Sequence, residues 1–135
     1  GERYGRDGCR EPIPWTAAGH ASDFGDGAEP WLPQPSDWSS FARDVQVVDT
    51  DSTLTLYRLL LRERRNFGLG REELRWADTG SEDVLAFTND HVTVVANFGP
   101  TSVHLSKNDP LIIRSAGAGQ EPVGPDTTVW LRSNA

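Results

Sequence analysis

Residues 5–15 read Gly-Arg-Asp-Gly-Cys-Arg-Glu-Pro-Ile-Pro-Trp. The run has neither helical nor alternating periodicity, so it predicts a shaped loop. Its two prolines each fix φ and drive the preceding residue towards an extended conformation, so the loop is stiff and presents Trp15 at a defined place. Arg6 and Arg10 can each offer a planar fork of donors to a carboxylate or to sugar hydroxyls. The alternative is that both arginines only tie the loop down through its own carboxylates.

This run resembles a signature of glycoside hydrolase family 13, the α-amylase family, in its α-glucosidase and oligo-1,6-glucosidase branch. The signature there is Arg-Asp-(Gly/Asn)-x-Arg-x-Pro-(Met/Ile)-(Gln/Pro)-Trp, and Ile13 and Pro14 stand where many members have Met and Gln. The similarity continues through four further stretches and so covers nearly the whole chain: residues 19–24, 29–33, 45–46 and 52–64. Beyond these stretches it fades into a general β-rich tail.

The resemblance implies a domain organisation and a site. Residues 1–70 would be the end of a (β/α)8 barrel, comprising its final long loop and last helix, and residues 71–135 a C-terminal β-sandwich. Arg10 would bind substrate at the pocket rim, with Arg6 and Trp15 shaping the loop. The parent would be an α-glucosidase that hydrolyses α-linked glucosides with retention. A trehalose synthase-like or sucrose isomerase-like transglycosylase is the alternative within the family.

Composition predicts a soluble globular domain, since 36% of the 135 residues are hydrophobic and the net charge is −7. The acidic balance argues against nucleic acid as a partner. No apolar run approaches the roughly 20 residues that cross a bilayer, so we expect a cytoplasmic protein without membrane contact. The single Cys9 has no second thiol or histidine cluster beside it, so neither an internal disulfide nor a metal or other cofactor is expected.

From residue 3 to about residue 48 the chain is rich in Gly, Pro, Asp, Ser and Trp, without sustained periodicity. Irregular stretches longer than about 15 residues are uncommon inside compact domains, and tryptophans are what disordered segments lack. We therefore expect this segment to lie on a larger body, which the resemblance identifies as the rest of the catalytic barrel. Left uncovered, Trp15, Trp31, Trp38 and the following helix are expected to cause self-association.

One helix is predicted at about residues 51–66. At helical periodicity one broad arc carries Leu54, Leu56, Tyr57, Leu60 and Leu61, and the opposite side carries Thr55, Arg58, Arg62 and Arg65. Capping side chains at residues 49–52 precede the helix, and Gly68 and Gly70 supply its stop. The resemblance implies the last barrel helix, whereas the alternative is a lone helix that packs on the sheet after it.

The remainder of the chain predicts an antiparallel β-sandwich, so the predicted fold class is mainly β. Short β-branched or aromatic-rich runs are separated by Gly, Asn, Asp and Pro, with a tight turn at Asn89-Asp90. These runs are residues 74–77, 84–88, 91–98, 102–105, 111–115 and 127–132.

No catalytic residue is predicted in this chain. The family's motifs around its catalytic carboxylates, a Gly-Phe-Arg-x-Asp run, a strand-end Glu and an Asn-His-Asp run, do not occur in it. We interpret the paired carboxylates as solvated or capping groups: Asp23 with Asp26, Asp49 with Asp51, Glu72 with Glu73, and Glu82 with Asp83. The alternative from a different functional class is a non-catalytic β module that binds carbohydrate or stabilises a partner.

The purified chain is predicted to have no glycosidase activity, because retaining glycosidases need two carboxyl groups about 5 Å apart across the scissile bond. The measurement is glucose release from maltose, and nitrophenol release from p-nitrophenyl α-glucoside. A preparation from cells carrying the empty vector is the control. Release above that control contradicts the prediction.

Overall fold

The computed structural model describes residues 11–18, 30–105, 110–117 and 122–133. The chain divides into two compact units, residues 1–58 and residues 59–135. The domain boundary at residue 70, implied by the family resemblance, stays a prediction. No helix in the described part of the chain is both long and apolar enough to span a bilayer.

The first unit contains short helical elements that the sequence did not reveal. A 3₁₀ helix, Trp38–Phe41, is followed by helix α1, Arg43–Val48. The prediction of irregular structure as far as residue 48 is therefore wrong for these residues. Three of the six residues of α1 are valines, which are weak helix formers, so local propensity hid the element.

Helix α2, Thr53–Asn66, begins at a side-chain cap. Ser52 Oγ accepts a hydrogen bond from the backbone N–H of Thr55 at 3.2 Å, which confirms a cap in the predicted cluster. Gln46 Oε1 accepts from the N–H of Leu54 at 3.1 Å. This second cap comes from α1, eight residues earlier in the chain, and no local sequence rule predicts it.

Helix α2 ends as the glycines predict. Gly68 has a φ of 64°, the left-handed conformation that closes many helices. The N–H of Leu69 donates to the carbonyl of Arg64 at 3.0 Å, and that of Gly68 donates to the carbonyl of Arg65 at 3.1 Å. This pair of bonds is the Schellman motif, which satisfies carbonyls that the helix leaves free.

No residue of α2 is buried among the described residues, and Tyr57 and Leu61 are exposed. The other members of the predicted apolar arc, Leu54, Leu56 and Leu60, are half-buried, so the arc is only partly covered. A helix of this kind gains most of its stability by packing that arc against other elements.

Five antiparallel strands form one sheet in the order β1-β2-β3-β5-β4, which confirms a mainly β fold. The strands are β1 Leu74–Ala77, β2 Val84–Asn89, β3 Val92–Asn97, β4 Leu111–Arg114 and β5 Thr127–Arg132. Strands β2 and β3 are joined by Asp90-His91, within one residue of the predicted turn. Asp90 has a φ of 52°, which Asp tolerates better than most residues.

The predicted strand at residues 102–105 is wrong. There the chain makes an isolated bridge, in which Val103 and Val123 exchange hydrogen bonds of 2.9 and 2.8 Å. Pro125, two residues after Val123, stands at the next position of that ladder whose N–H would face the partner, and it has no N–H to donate. Pairing therefore does not extend into a strand.

One face of the sheet carries the core of the second unit. Its buried cluster consists of Ala86, Val95, Val123, Val129 and Leu131. Val103 and Leu105 pack against this cluster, and Val123 is fully buried although it lies outside the strands. The bridge segment therefore covers this face of the sheet. Burying each such aliphatic side chain contributes about 1.5–3 kcal/mol to folding.

The opposite face carries a row of large side chains in register across four strands. Trp76, Phe87, Val94 and Trp130 are successive partners in the pairings of β1, β2, β3 and β5. The Trp76 ring meets Phe87 edge-on, with centroids 5.6 Å apart. Trp76 is nevertheless 68% exposed, so its end of the row is open to solvent.

Asn97, at the end of β3, joins three segments of the second unit. Its side chain is 1% exposed, and its Nδ2 lies within 3.0 Å of the carbonyl oxygens of Thr101, Val123 and Gly124. Its Oδ1 accepts from the N–H of Gly99 at 3.0 Å. A single amide thus satisfies buried backbone groups that the sheet itself cannot pair.

Asn97→Ala is predicted to lower the free energy of unfolding by about 2–4 kcal/mol, because the N–H of Gly99 and the part-buried carbonyls of Thr101 and Gly124 lose their bonds to the amide. Urea unfolding followed by circular dichroism measures the effect. Asn66→Ala removes an exposed amide of α2 and should change stability by less than about 0.5 kcal/mol. Equal effects of the two substitutions would contradict the structural role of Asn97.

Candidate functional site

The site predicted from the sequence is only partly within the described residues. Arg6 and Arg10 lie outside them, as do Asp23 and Asp26. Trp15 lies inside and is 42% exposed. The candidate site is therefore described through residues 11–18, called here the Pro-Trp segment, and the contacts that hold this segment in place.

The indole of Trp38 fixes the start of the Pro-Trp segment. Its Nε1–H donates to the carbonyl oxygen of Pro12 at 3.1 Å, across 26 residues of sequence. The Trp38 ring also lies against Phe41, with centroids 6.2 Å apart and ring planes at 55°. Trp38 is half-buried, so its N–H finds a protein acceptor while its ring packs on an apolar neighbour.

The amino end of α1 fixes the rest of the segment. Helices begin with N–H groups that have no partner within the helix. Here the N–H of Arg43 donates to the carbonyl of Pro14 at 2.9 Å, and that of Asp44 donates to the carbonyl of Trp15 at 3.2 Å. The Asp44 carboxylate in turn accepts from the N–H of Ala17, with its two oxygens at 3.1 and 3.2 Å. The segment is thus held at three successive points.

Sequence reasoning missed these anchors, because each joins residues far apart in the chain. The one local signal was Asp44, an acidic residue in the first turn of α1 where the helix dipole favours negative charge.

Large apolar side chains stand out from the first unit. Trp31 is 97% exposed, and Ile13 and Phe41 are also exposed. Isolated exposed apolar residues are ordinary, but tryptophans are costly to leave in water and are enriched at interfaces. The described part of the first unit therefore exposes several large apolar side chains to solvent.

The paired carboxylates within the described residues lie at the surface. The members of the three pairs inside the described residues are exposed: Asp49, Asp51, Glu72, Glu73, Glu82 and Asp83. Asp49 Oδ1 accepts from the N–H of Asp51 at 2.9 Å, a local turn contact. No group of three or more His, Cys, Asp or Glu side chains that could hold a metal occurs among the residues that the structure describes.

Glu63 in α2 has a perturbed carboxyl group, whose cause is local. A hydrogen bond from Arg62 Nε at 2.9 Å, and a second from Asn66 Nδ2 at 3.2 Å, lower the pKa of Glu63. Both partners lie within four residues on the same helix, so this is a surface charge contact, and it does not mark an acid or base poised for chemistry.

A hollow of about 440 Å³ opens over the core face of the sheet. Its polar lining includes Thr79, Asp83, Thr101 and Ser102. Hydroxyl and carboxylate groups can bind sugar hydroxyls. Trp76, which could stack on a sugar ring, lies on the opposite face of the sheet. The hollow and the exposed indole therefore cannot act on one ligand.

No family model matches the chain, and no curated protein matches it. Solved structures do match. The trehalulose synthase MutB, a protein of Pseudomonas mesoacidophila MX-45, matches through its A258V variant with a TM-score of 0.76 and 21% identity, over 94% of this chain and 26% of that one. Trehalose-6-phosphate hydrolase from Bacillus licheniformis matches with a TM-score of 0.73 and 19% identity, over 96% of this chain and 26% of that one.

A third match is isomaltulose synthase from Erwinia rhapontici NX5, with a TM-score of 0.75 and 19% identity, over 94% of this chain and 25% of that one. These structural neighbours are glycoside hydrolase family 13 enzymes. At this level of identity the likeness shows the shared fold. The chain spans about a quarter of the length of the structures it matches.

Trp38→Phe is predicted to destabilise the Pro-Trp segment, because the ring is kept while the hydrogen bond to Pro12 is lost. The expected cost is about 0.5–1.5 kcal/mol, seen as faster hydrogen exchange at the amides of Asp44 and Ala17. Trp31→Phe is the matched control, since Trp31 is almost fully exposed. The anchoring role of Trp38 is contradicted if both variants exchange at the wild-type rate.

Proposed function

We propose that the chain is the C-terminal part of an α-glucosidase-like, retaining enzyme of glycoside hydrolase family 13. It supplies a loop at the rim of the substrate pocket, the last barrel helix and a stabilising β domain. The catalytic carboxylates belong to the rest of the enzyme. The observation that carries this proposal is the fold match over 94% of the chain to 26% of a longer enzyme.

The exposed apolar residues support the proposal that another part of the enzyme covers this chain. The first unit presents Trp15 and Trp31 to solvent, and α2 exposes Tyr57 and Leu61. Covering such residues contributes about 25 cal/mol per Å² of apolar surface removed from water. The partner that this proposal assigns to them is the remaining body of the catalytic barrel.

In this proposal the Pro-Trp segment positions Arg10 at the rim of the substrate pocket. Its carbonyls accept hydrogen bonds from Trp38 and from the amino end of α1. Arg10 lies two residues before Pro12. A guanidinium held at a defined place can donate to hydroxyls of an α-glucoside in fixed geometry, which is what substrate orientation requires.

A transglycosylating enzyme is the second candidate. It is favoured by the presence of a trehalulose synthase and an isomaltulose synthase among the matched structures. Both candidates share the covalent glucosyl-enzyme step of retaining catalysis. They differ in whether water or a sugar hydroxyl takes the glucosyl group from that intermediate.

A free-standing carbohydrate-binding module is the third candidate. Its signature would be several exposed aromatic rings on one face of the sheet, but in the described strands Trp76 is highly exposed whereas Phe87 and Trp130 are half-buried. Calorimetric titration of the chain with maltooligosaccharides distinguishes a carbohydrate-binding module from a part of an enzyme. Saturable binding lost in Trp76→Ala would favour the module.

The intact parent enzyme provides the direct test of the proposed function. It is incubated with maltose, p-nitrophenyl α-glucoside and sucrose, and the products are identified by chromatography and by the anomer released. α-Glucose from the first two substrates supports the α-glucosidase. Isomerised disaccharides from sucrose would favour the transglycosylase. No turnover of any of them would overturn both proposals.

Arg10→Ala in the intact enzyme is predicted to lower kcat/KM by about 10-fold to 150-fold, the cost of one charge-assisted hydrogen bond. If Arg10 binds substrate and transition state equally, KM rises and kcat changes little. If it steadies charge that develops in the transition state, kcat falls. Steady-state kinetics on both p-nitrophenyl α-glucoside and maltose measure the split.

Arg10→Lys is the control, and it should recover only part of the loss because an ammonium cannot reproduce the planar fork. Melting temperatures of both variants are compared with the wild type. A lower melting temperature with unchanged kinetics would contradict a role of Arg10 in the pocket and leave it a role in tying the loop down.

A further inference from the structure

The outer edge of β1 has no partner strand among the described residues. β1 stands first in the sheet order and pairs with β2 on one side only, in an unbroken register. All four of its residues are exposed. It contains neither proline nor a bulge, two of the devices by which proteins keep sheet edges from pairing with another chain.

The charges along this edge are complementary to themselves. Glu73 directly precedes β1 and Arg75 lies within it, two residues apart and so on one face of the strand. Neither makes an ion pair within 4.0 Å in the part of the chain that the structure describes. If two copies of β1 pair antiparallel about a two-fold axis at Leu74, Glu73 of each copy faces Arg75 of the other.

The same register joins apolar groups on the other face. Leu74 faces Leu74 of the second copy, and Trp76 lies diagonal to it, within reach of a large aromatic side chain. Both residues are exposed in the single chain. A register centred one residue later would instead set Arg75 against Arg75 and Glu72 against Asp78. Charge therefore favours the pairing centred at Leu74 over the one centred at Arg75.

We propose that β1 is a self-association edge, through which two copies of this chain join their five-stranded sheets into one continuous antiparallel sheet. The contact is isologous, so a single patch serves both partners and the assembly closes at two. This interface is separate from the tryptophan-rich first unit, and it does not depend on the proposed enzymatic function.

Charge reversal tests the proposal on the 135-residue chain, using sedimentation across a concentration series. Wild type should form a dimer as concentration rises. Arg75→Glu sets like charges opposite each other, and Glu73→Arg does the same, so each should weaken dimerisation by at least about tenfold. The double variant exchanges the two charges and should restore dimerisation to within about threefold of wild type.

Circular dichroism checks that each variant keeps the wild-type fold, as expected for exposed residues at a sheet edge. The proposal is overturned by a wild type that is monomeric throughout, by single variants that dimerise normally, or by a double variant that is not restored. It is also overturned if Trp31→Ala abolishes association while the charge variants leave it unchanged, because the first unit would then be the interface.

A cysteine at the symmetry axis tests the register. Directly opposed residues of an antiparallel pair have Cα atoms about 4.5–5.5 Å apart, within the range of a disulfide. In a Cys9→Ser background, Leu74→Cys should give a covalent dimer on mild oxidation. Ala77→Cys, whose copies lie far from the axis, should not. Crosslinking through residue 77 and not through residue 74 overturns the proposed register.

Discussion

The N–H groups at the start of α1, together with the indole N–H of Trp38, are the donors on which the order of the first unit depends. A short helix cannot satisfy its own first donors, and a proline-rich loop carries carbonyls that no sheet pairs. In this molecule the two elements pair these groups with each other. The carbonyls of Pro14 and Trp15 accept hydrogen bonds from the first N–H groups of α1, and the Asp44 carboxylate accepts one from the N–H of Ala17. Local order in each element therefore depends on the other being folded.

The second unit solves a similar problem with one side chain. The two segments joined by the bridge between Val103 and Val123 cover the core face of the sheet. Their backbones pair only at this bridge, so neighbouring N–H and C=O groups need other partners. Asn97 reaches from β3 to carbonyls on both arms of the bridge and to Gly99. The apolar cluster and this buried amide thus act together. The valines supply the driving force for burial, and the amide removes the cost of burying unpaired backbone groups.

Local pattern predicted much of this fold. The end of α2, all of β1 and all of β5 lie where periodicity and glycine placed them. In β5 the burial of alternate residues enforces that periodicity. Helix α1 was missed since its valines disfavour a helix and distant carbonyls stabilise it. The cap from Gln46 and the bridge at Val123 were missed for the same reason. Of the candidate site, Trp15 is described, and its anchors could not be predicted from neighbouring residues.

The anchoring of the Pro-Trp segment determines which substitutions the segment can accept. Both contacts from the start of α1 go to main-chain oxygens, which every amino acid carries. A proline at residue 14 keeps its carbonyl and forgoes only an N–H that these contacts do not use. The side chains at residues 13 and 14 can thus change without loss of these contacts. The geometry of the segment is fixed by hydrogen bonds to its main chain, so these contacts place no requirement on its side chains.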